Sequence, residues 1–125
     1  MSLAAAGAHP EVSVLVPAKD EAENLTELVR LMREALLPLP YACELVVVDD
    51  GSRDATADLL SRLAAQHPFL RVVTHSSQRG IADALRSGAD AAGGRILVFW
   101  PADLQYLPAD IAGLKVIHLR SERAE

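Results

Sequence analysis

Cysteine is nearly absent: Cys43 stands alone in 125 residues, so no internal disulfide can form. That usage favours a reducing compartment, with the cytoplasm as the expected location. Positive charge is also scarce. Lys and Arg number 12 against 17 Asp and Glu, for a formal charge of -5, whereas a general binder of nucleic acid or of an anionic membrane needs a basic face. Acidic residues suit a metal ion or a ribose better. No apolar run approaches the roughly 18 residues that cross a bilayer, and the Ala-rich start lacks the basic flank and long apolar centre of a signal peptide. Internal repeats are missing. So is a Gly-x-Gly-x-x-Gly after the first strand, which argues against a dinucleotide-dependent dehydrogenase. His9, His67, His75 and His118 show no metal-ligand spacing and receive no role.

What the chain does have is apolar material: 50% hydrophobic residues, enough for one core and too short a chain for two domains. Residues 1–10 are expected to form a disordered leader, 11–119 one α/β domain and 120–125 a frayed tail. Val12–Val16 reads as a first strand, stopped by Pro17 because proline cannot donate to a ladder. A helix follows over Ala22–Leu37, with Leu25, Leu28, Val29, Met32 and Leu36 on one face. Cys43–Val48 is the second strand and Thr56–Gln66 the second helix, its stripe set by Leu59, Leu60 and Leu63. Leu70–Thr74 and Ile81–Ala92 repeat the alternation, Gly93-Gly94 stops the helix, and Ile96–Trp100 is an apolar strand expected at the centre of the sheet. After Pro108, Asp110 is expected to cap a helix with Ile111, Leu114 and Ile117 or His118 inward, although Leu114–Leu119 also has strand character. Alternating strands and helices imply right-handed crossovers and a mostly parallel sheet, a Rossmann-like three-layer α/β/α fold with strand order 3-2-1-4.

The most informative stretch is Leu45-Val46-Val47-Val48-Asp49-Asp50-Gly51-Ser52-Arg53-Asp54-Ala55-Thr56. An apolar strand buried on both faces ends on two carboxylates, Gly51 permits a tight turn, and Ser52 or Asp54 can cap the next helix. Ligands of open α/β sheets sit outside the carboxyl ends of the strands. That rule brings Lys19, Asp20 and Glu21 together with Asp49 and Asp50, and with Asp103 and Gln105 after the fourth strand. The plainer possibility is that these acids only organise turns. Oxygen donors of this kind suit Mg²⁺ or Mn²⁺. Arg79-Gly80 opens the third helix, where backbone N–H groups and a guanidinium can meet a phosphate; a simple surface arginine is the competing view.

Val12 to Leu25, Asp49 to Thr56, and Ala102-Asp103-Leu104-Gln105 followed by Pro108 resemble, in order and spacing, the motifs of inverting GT-A-type family 2 glycosyltransferases. The Asp-Leu-Gln element is most similar to the branch that holds the dolichyl-phosphate mannosyltransferases and polyprenyl-phosphate glycosyltransferases. The resemblance covers residues 12 to about 111 and implies a truncated GT-A nucleotide-binding domain taking a UDP- or GDP-sugar. It implies that Pro17, Ala18 and Glu21 contact the nucleoside, with Glu21 on the ribose, that Asp50 accepts a base N–H, and that Asp49 supports the strand end. Asp103 and Gln105 would contact the metal. The acceptor it implies is a polyprenyl or dolichyl phosphate, hence a membrane-peripheral setting in a longer chain.

Two departures stand against full activity. Pro101 occupies the place of the first metal-binding aspartate and supplies neither charge nor side-chain oxygen. Nothing after Asp110 matches the family's acceptor half, so no catalytic base is assigned. The chain is therefore expected to be the N-terminal part of a glycosyltransferase, inactive or weakly active alone, or else a non-catalytic nucleotide-binding module with a degenerate metal site. A receiver-like phosphoacceptor domain is a third possibility. It fits poorly, because the acidic pair follows the second strand and not the first.

Overall fold

The structure, a computed structural model, describes residues 3–4, 9–104 and 118–119. The elements run β1 (Val12–Ala18), α1 (Ala22–Leu36), β2 (Cys43–Asp50), α2 (Thr56–Gln66), β3 (Leu70–His75), α3 (Ile81–Ala91), β4 (Ile96–Phe99) and β5 (His118–Leu119). They build one sheet in the order β3-β2-β1-β4-β5. The first four strands pair in parallel and β5 pairs antiparallel to β4. The inner order is the one expected from right-handed crossovers.

Side-chain alternation along β1 and β2 separates two apolar layers. Val14, Val16, Leu45 and Val47 meet Leu25, Leu28, Val29, Met32 and Leu36 of α1 and Leu60 and Leu63 of α2. On the other face Leu15, Val46 and Leu97 meet Leu85 and Ala89 of α3. The α1 stripe is buried as its spacing predicts, while Leu59 of α2 is only half-buried. The helix α3 lies close to the sheet because Gly88 has no side chain: a Cβ there would come within 3.1 Å of Val48 Cγ2.

Pro17 does not end β1. It stays in register with Val48 of β2, and the strand runs on to Ala18. Leu15 accepts the N–H of Trp100, so residues of its parity face β4, and Pro17 shares that parity. Its missing N–H thus ends the ladder to β4 after Leu15, while Val16 and Ala18 continue the one to β2. The strand β4 is also less central than its composition suggests. Its outer neighbour pairs with it over two residues only, and Phe99 is 40% exposed. At His118 and Leu119 the strand alternative prevails over the helix; the rest of the helix expected after Pro108 lies outside the described residues. Pairing to an open edge of β4 satisfies backbone groups that a helix would leave unmatched.

The sheet's amino edge is tied by a buried carboxylate. Glu44 Oε2 accepts from Ser13 Oγ and from the N–H of Gly93, both at 2.7 Å, and Oε1 meets Arg71 Nε at 3.3 Å. Beside it, Leu3 bridges Cys43 and Ala4 donates its N–H to the Cys43 carbonyl. The Cys43 thiol donates to the Tyr41 carbonyl at 3.3 Å. Burial, with the Glu11 carboxylate adding to it, pushes that thiol up to about 11. The thiolate is the reactive species, so Cys43 is expected to resist Ellman's reagent at pH 8 in the folded chain and to react with one equivalent in guanidinium. Stoichiometric labelling of the folded chain would contradict this burial.

Candidate functional site

At the carboxyl edge of the sheet the β1–α1 and β2–α2 loops are laced together. Asp20 adopts φ 55 and its Oδ1 accepts the N–H groups of Arg53 at 2.7 Å and Asp54 at 3.3 Å. Its own N–H donates to Ser52 Oγ at 2.9 Å. The Arg53 N–H and the Lys19 ammonium hold the Asp20 carboxyl below the usual carboxylate range. Asp54 spans both helix starts: Oδ1 accepts the N–H of Thr56 at 2.9 Å and also its hydroxyl, and Oδ2 accepts the N–H of Ala22 at 3.4 Å. Of the two cap candidates, Asp54 therefore bonds at the start of α2, and Ser52 serves the neighbouring loop instead. Thr56 Oγ1 in turn accepts the N–H of Glu21 at 3.2 Å.

Asp49 and Asp50, the last residues of β2, are both buried. Asp49 Oδ1 accepts the N–H of Ser52 at 3.0 Å and closes the turn. Asp50, 5% exposed, reaches across to the β3–α3 loop. Its Oδ1 accepts from His75 Nδ1 at 2.8 Å and from the N–H of Arg79 at 2.9 Å; its Oδ2 accepts the N–H of Gly80 at 2.9 Å. Burial works to raise the Asp50 carboxyl, but the bonds from His75, Arg79 and Gly80 outweigh it and leave it below the usual carboxylate range. The carboxylate persists at neutral pH as an acceptor only.

His75, to which its sequence position gives no role, belongs to this network. It ends β3 in register with Asp50, and its Nε2 bonds Ser87 Oγ at 2.7 Å. Scattered histidines carry no spacing signal; only the β2–β3 register, which sequence does not specify, reveals the pair.

Pro17, Ala18, Glu21 and Asp50 line one cavity of about 240 Å³ with Lys19, Gln78, Gly80, Ile81 and Ala84. Lys19 and Gln78 also border a wider depression of about 580 Å³ that continues over Asp20, Gly51, Ser52, Arg53, Ser76 and Ser77. Glu21 Oε1 accepts from Asn24 Nδ2 at 3.0 Å. Ile81, 68% exposed, stands at the mouth. Arg79 is exposed and contributes its backbone N–H to the network. The set offers backbone, carboxylate, ammonium and amide groups around a concave surface, the composition of a site for a polar small molecule with an apolar ring.

Asp103 is exposed in the turn after β4, next to Leu104 at φ 60. Asp20 and Leu104 are the positive-φ residues other than glycine among the described residues, and both lie in loops at this edge, where backbone strain tends to be stored. Gln105 lies outside the described residues. Among the described residues no three His, Cys, Asp or Glu side chains gather as a ready metal cluster. A hard cation needs less: one or two carboxylates, with diphosphate oxygens and water completing the shell. Asp103 fits that donor type.

The motifs have counterparts in known proteins. The glycosyl transferase family 2 model matches residues 13–115. The dolichol-phosphate mannosyltransferase of Pyrococcus furiosus is 38% identical over 104 residues, which cover 83% of this chain and 29% of that protein. The undecaprenyl-phosphate 4-deoxy-4-formamido-L-arabinose transferase of Pseudomonas syringae pv. syringae is 36% identical over 105 residues, 82% of this chain and 31% of that one. Among solved structures, the mannosyltransferase PcManGT from Pyrobaculum calidifontis, in complex with GDP-Man and Mn²⁺, superposes with a TM-score of 0.67 at 35% identity, over 78% of this chain and 28% of that one. The chain thus spans about 30% of the length of such relatives. With an α/β fold shared with solved GT-A glycosyltransferases and a family match along most of its length, the chain belongs to glycosyl transferase family 2.

Proposed function

We propose that this chain is the donor-binding part of an inverting glycosyltransferase that takes a UDP- or GDP-sugar and serves transfer to a polyprenyl or dolichyl phosphate. The observation that carries the reading is the gathering of Pro17, Ala18, Glu21 and Asp50 around one cavity. In it, the backbone at Pro17 and Ala18 flanks the nucleoside, Glu21 accepts from ribose hydroxyls, and Asp50 accepts one base N–H through Oδ2, which among the described residues takes one bond, from the Gly80 N–H. Either uracil N3–H or guanine N1–H satisfies that demand. The start of α3 and the Arg79 guanidinium receive phosphate charge. Asp49 keeps the strand end and turn in place. Asp103 and Gln105 would hold a divalent cation, Mg²⁺ or Mn²⁺, which when bound neutralises the diphosphate. No residue of the chain is assigned as catalytic base.

Among the described residues no helix is long and apolar enough to cross a membrane. A lipid-phosphate acceptor places the proposed site at a membrane surface, on the cytoplasmic side. A second reading, nucleotide binding without turnover, is favoured by Pro101, which offers no side-chain oxygen where the family's motif has an aspartate.

Pro101→Asp separates these readings. It is expected to strengthen UDP or GDP binding in the presence of Mn²⁺ and to leave binding in EDTA unchanged, as measured by calorimetry at fixed pH. Asp103→Ala is expected to remove whatever Mn²⁺ dependence the parent has. A folded Pro101→Asp with no metal-dependent gain would show that Asp103 and Gln105 form a structural turn and not a cation site.

A further inference from the structure

His75 is buried, 5% exposed, at the end of β3, and both of its ring nitrogens are engaged. A carboxylate only accepts, so Nδ1 must carry the proton it gives to Asp50, and Nε2 shares the second bond with the Ser87 hydroxyl. The resulting line, Ser87 to His75 to Asp50, runs from α3 to the nucleoside cavity. Its effect on Asp50 is geometric. The His75 bond and the Arg79 N–H both fall on Oδ1, whereas among the described residues Oδ2 holds one donor, the N–H of Gly80. Rotating the carboxylate would break three bonds at once, so both oxygens of Asp50 are held in place at the wall of the cavity.

We infer that His75, held by Ser87, is a positioning residue for nucleotide recognition: it clamps Asp50 Oδ1 so that Oδ2 meets the base N–H. This rests on the proposed role of Asp50 as the base acceptor. The alternative is that His75 merely fills space between β3 and α3, and the two make different demands on the side chain. An asparagine amide nitrogen falls near the place of imidazole Nδ1, and a glutamine amide nitrogen near that of Nε2. Space filling favours the longer glutamine; clamping favours asparagine.

The test is calorimetry with UDP and with GDP on the 125-residue chain and on His75→Asn, His75→Gln, Ser87→Ala and Asp50→Ala, each with its melting temperature. The expected result is an affinity for His75→Asn within about threefold of the parent and a loss of about tenfold or more for His75→Gln. Ser87→Ala removes the partner of Nε2 and gains helix propensity, so a small fall in melting temperature is expected together with binding weakened by about threefold. Imidazole ¹⁵N shifts of the parent should report a protonated Nδ1, an observable that needs no variant to fold. Equal affinities for the Asn and Gln variants, or an Nδ1 without a proton, would overturn the clamp while Asp50→Ala still loses binding. Parent-like binding by Asp50→Ala would overturn the nucleotide reading itself, and with it this inference.

Discussion

Asp50→Ala is expected to lower affinity for UDP or GDP by about ten- to hundredfold, the equivalent of roughly 1.5–3 kcal/mol for a lost charge-assisted hydrogen bond. The same change orphans three donors, His75 Nδ1 and the N–H groups of Arg79 and Gly80. Because that network is largely enclosed, stability should fall too, by about 2–4 kcal/mol. The isosteric Asp50→Asn separates charge from shape. Since folding lowers the Asp50 pKa, its carboxylate stabilises the fold above the unfolded value near ~4, and that contribution is lost as pH falls through the lower folded value. Asp50→Asn should therefore flatten the acid side of the stability curve below about pH 4. Unchanged titrations and an unchanged acid limb would remove Asp50 from the site.

Gly51→Ala is expected to cost more in fold than any other single methyl at this edge. Gly51 sits at φ +74, and a Cβ there would stand 2.4 Å from the backbone N of Gln78 and 2.5 Å from the carbonyl carbon of Ser77. Backbone strain of about 1–3 kcal/mol then adds to a clash with main-chain atoms that cannot rotate away. The β3–α3 loop would have to move, and it carries Arg79 and Gly80 to Asp50. A loss of about 3 kcal/mol or more, on the order of 10 °C in melting temperature, should accompany loss of nucleotide affinity. Gly51→Asn distinguishes the two causes: asparagine tolerates positive φ, yet its Cβ meets the same atoms, so it should not rescue. An asparagine variant with parental stability would mean the loops are less tightly apposed than the structure has them.

Much of this architecture is legible in local patterns. The α1 stripe from Leu25 to Leu36 and the apolar run Val46–Val48 specify their own burial, because periodicity alone decides which face turns inward. Asp49 and Asp50 mark the edge proposed to bind the nucleotide, because ligands of such sheets gather at carboxyl strand ends. What local pattern does not carry is pairing between distant segments. Pro17 reads as a strand stop until the neighbour it faces is known. His75 reads as one stray histidine until β3 is set beside β2 with Asp50 opposite it. The bond from Asp20 to Arg53 joins residues 33 apart in sequence, and the fit of Gly51 against Ser77 joins two loops. Such contacts follow from topology and register, which composition and spacing constrain only loosely.

A nucleoside diphosphate is expected to bind at the carboxyl edge of the sheet, between the loops after β1, β2 and β3. Titration of the ¹⁵N-labelled chain with UDP and with GDP, followed by amide chemical shifts, locates the ligand directly. The expected result is a saturable set of perturbed amides within 18–21, 50–53 and 76–81, with the opposite edge around Cys43, Glu44 and Phe69 undisturbed. Perturbations confined to that opposite edge, or none at either nucleotide's millimolar concentrations, would contradict the assignment.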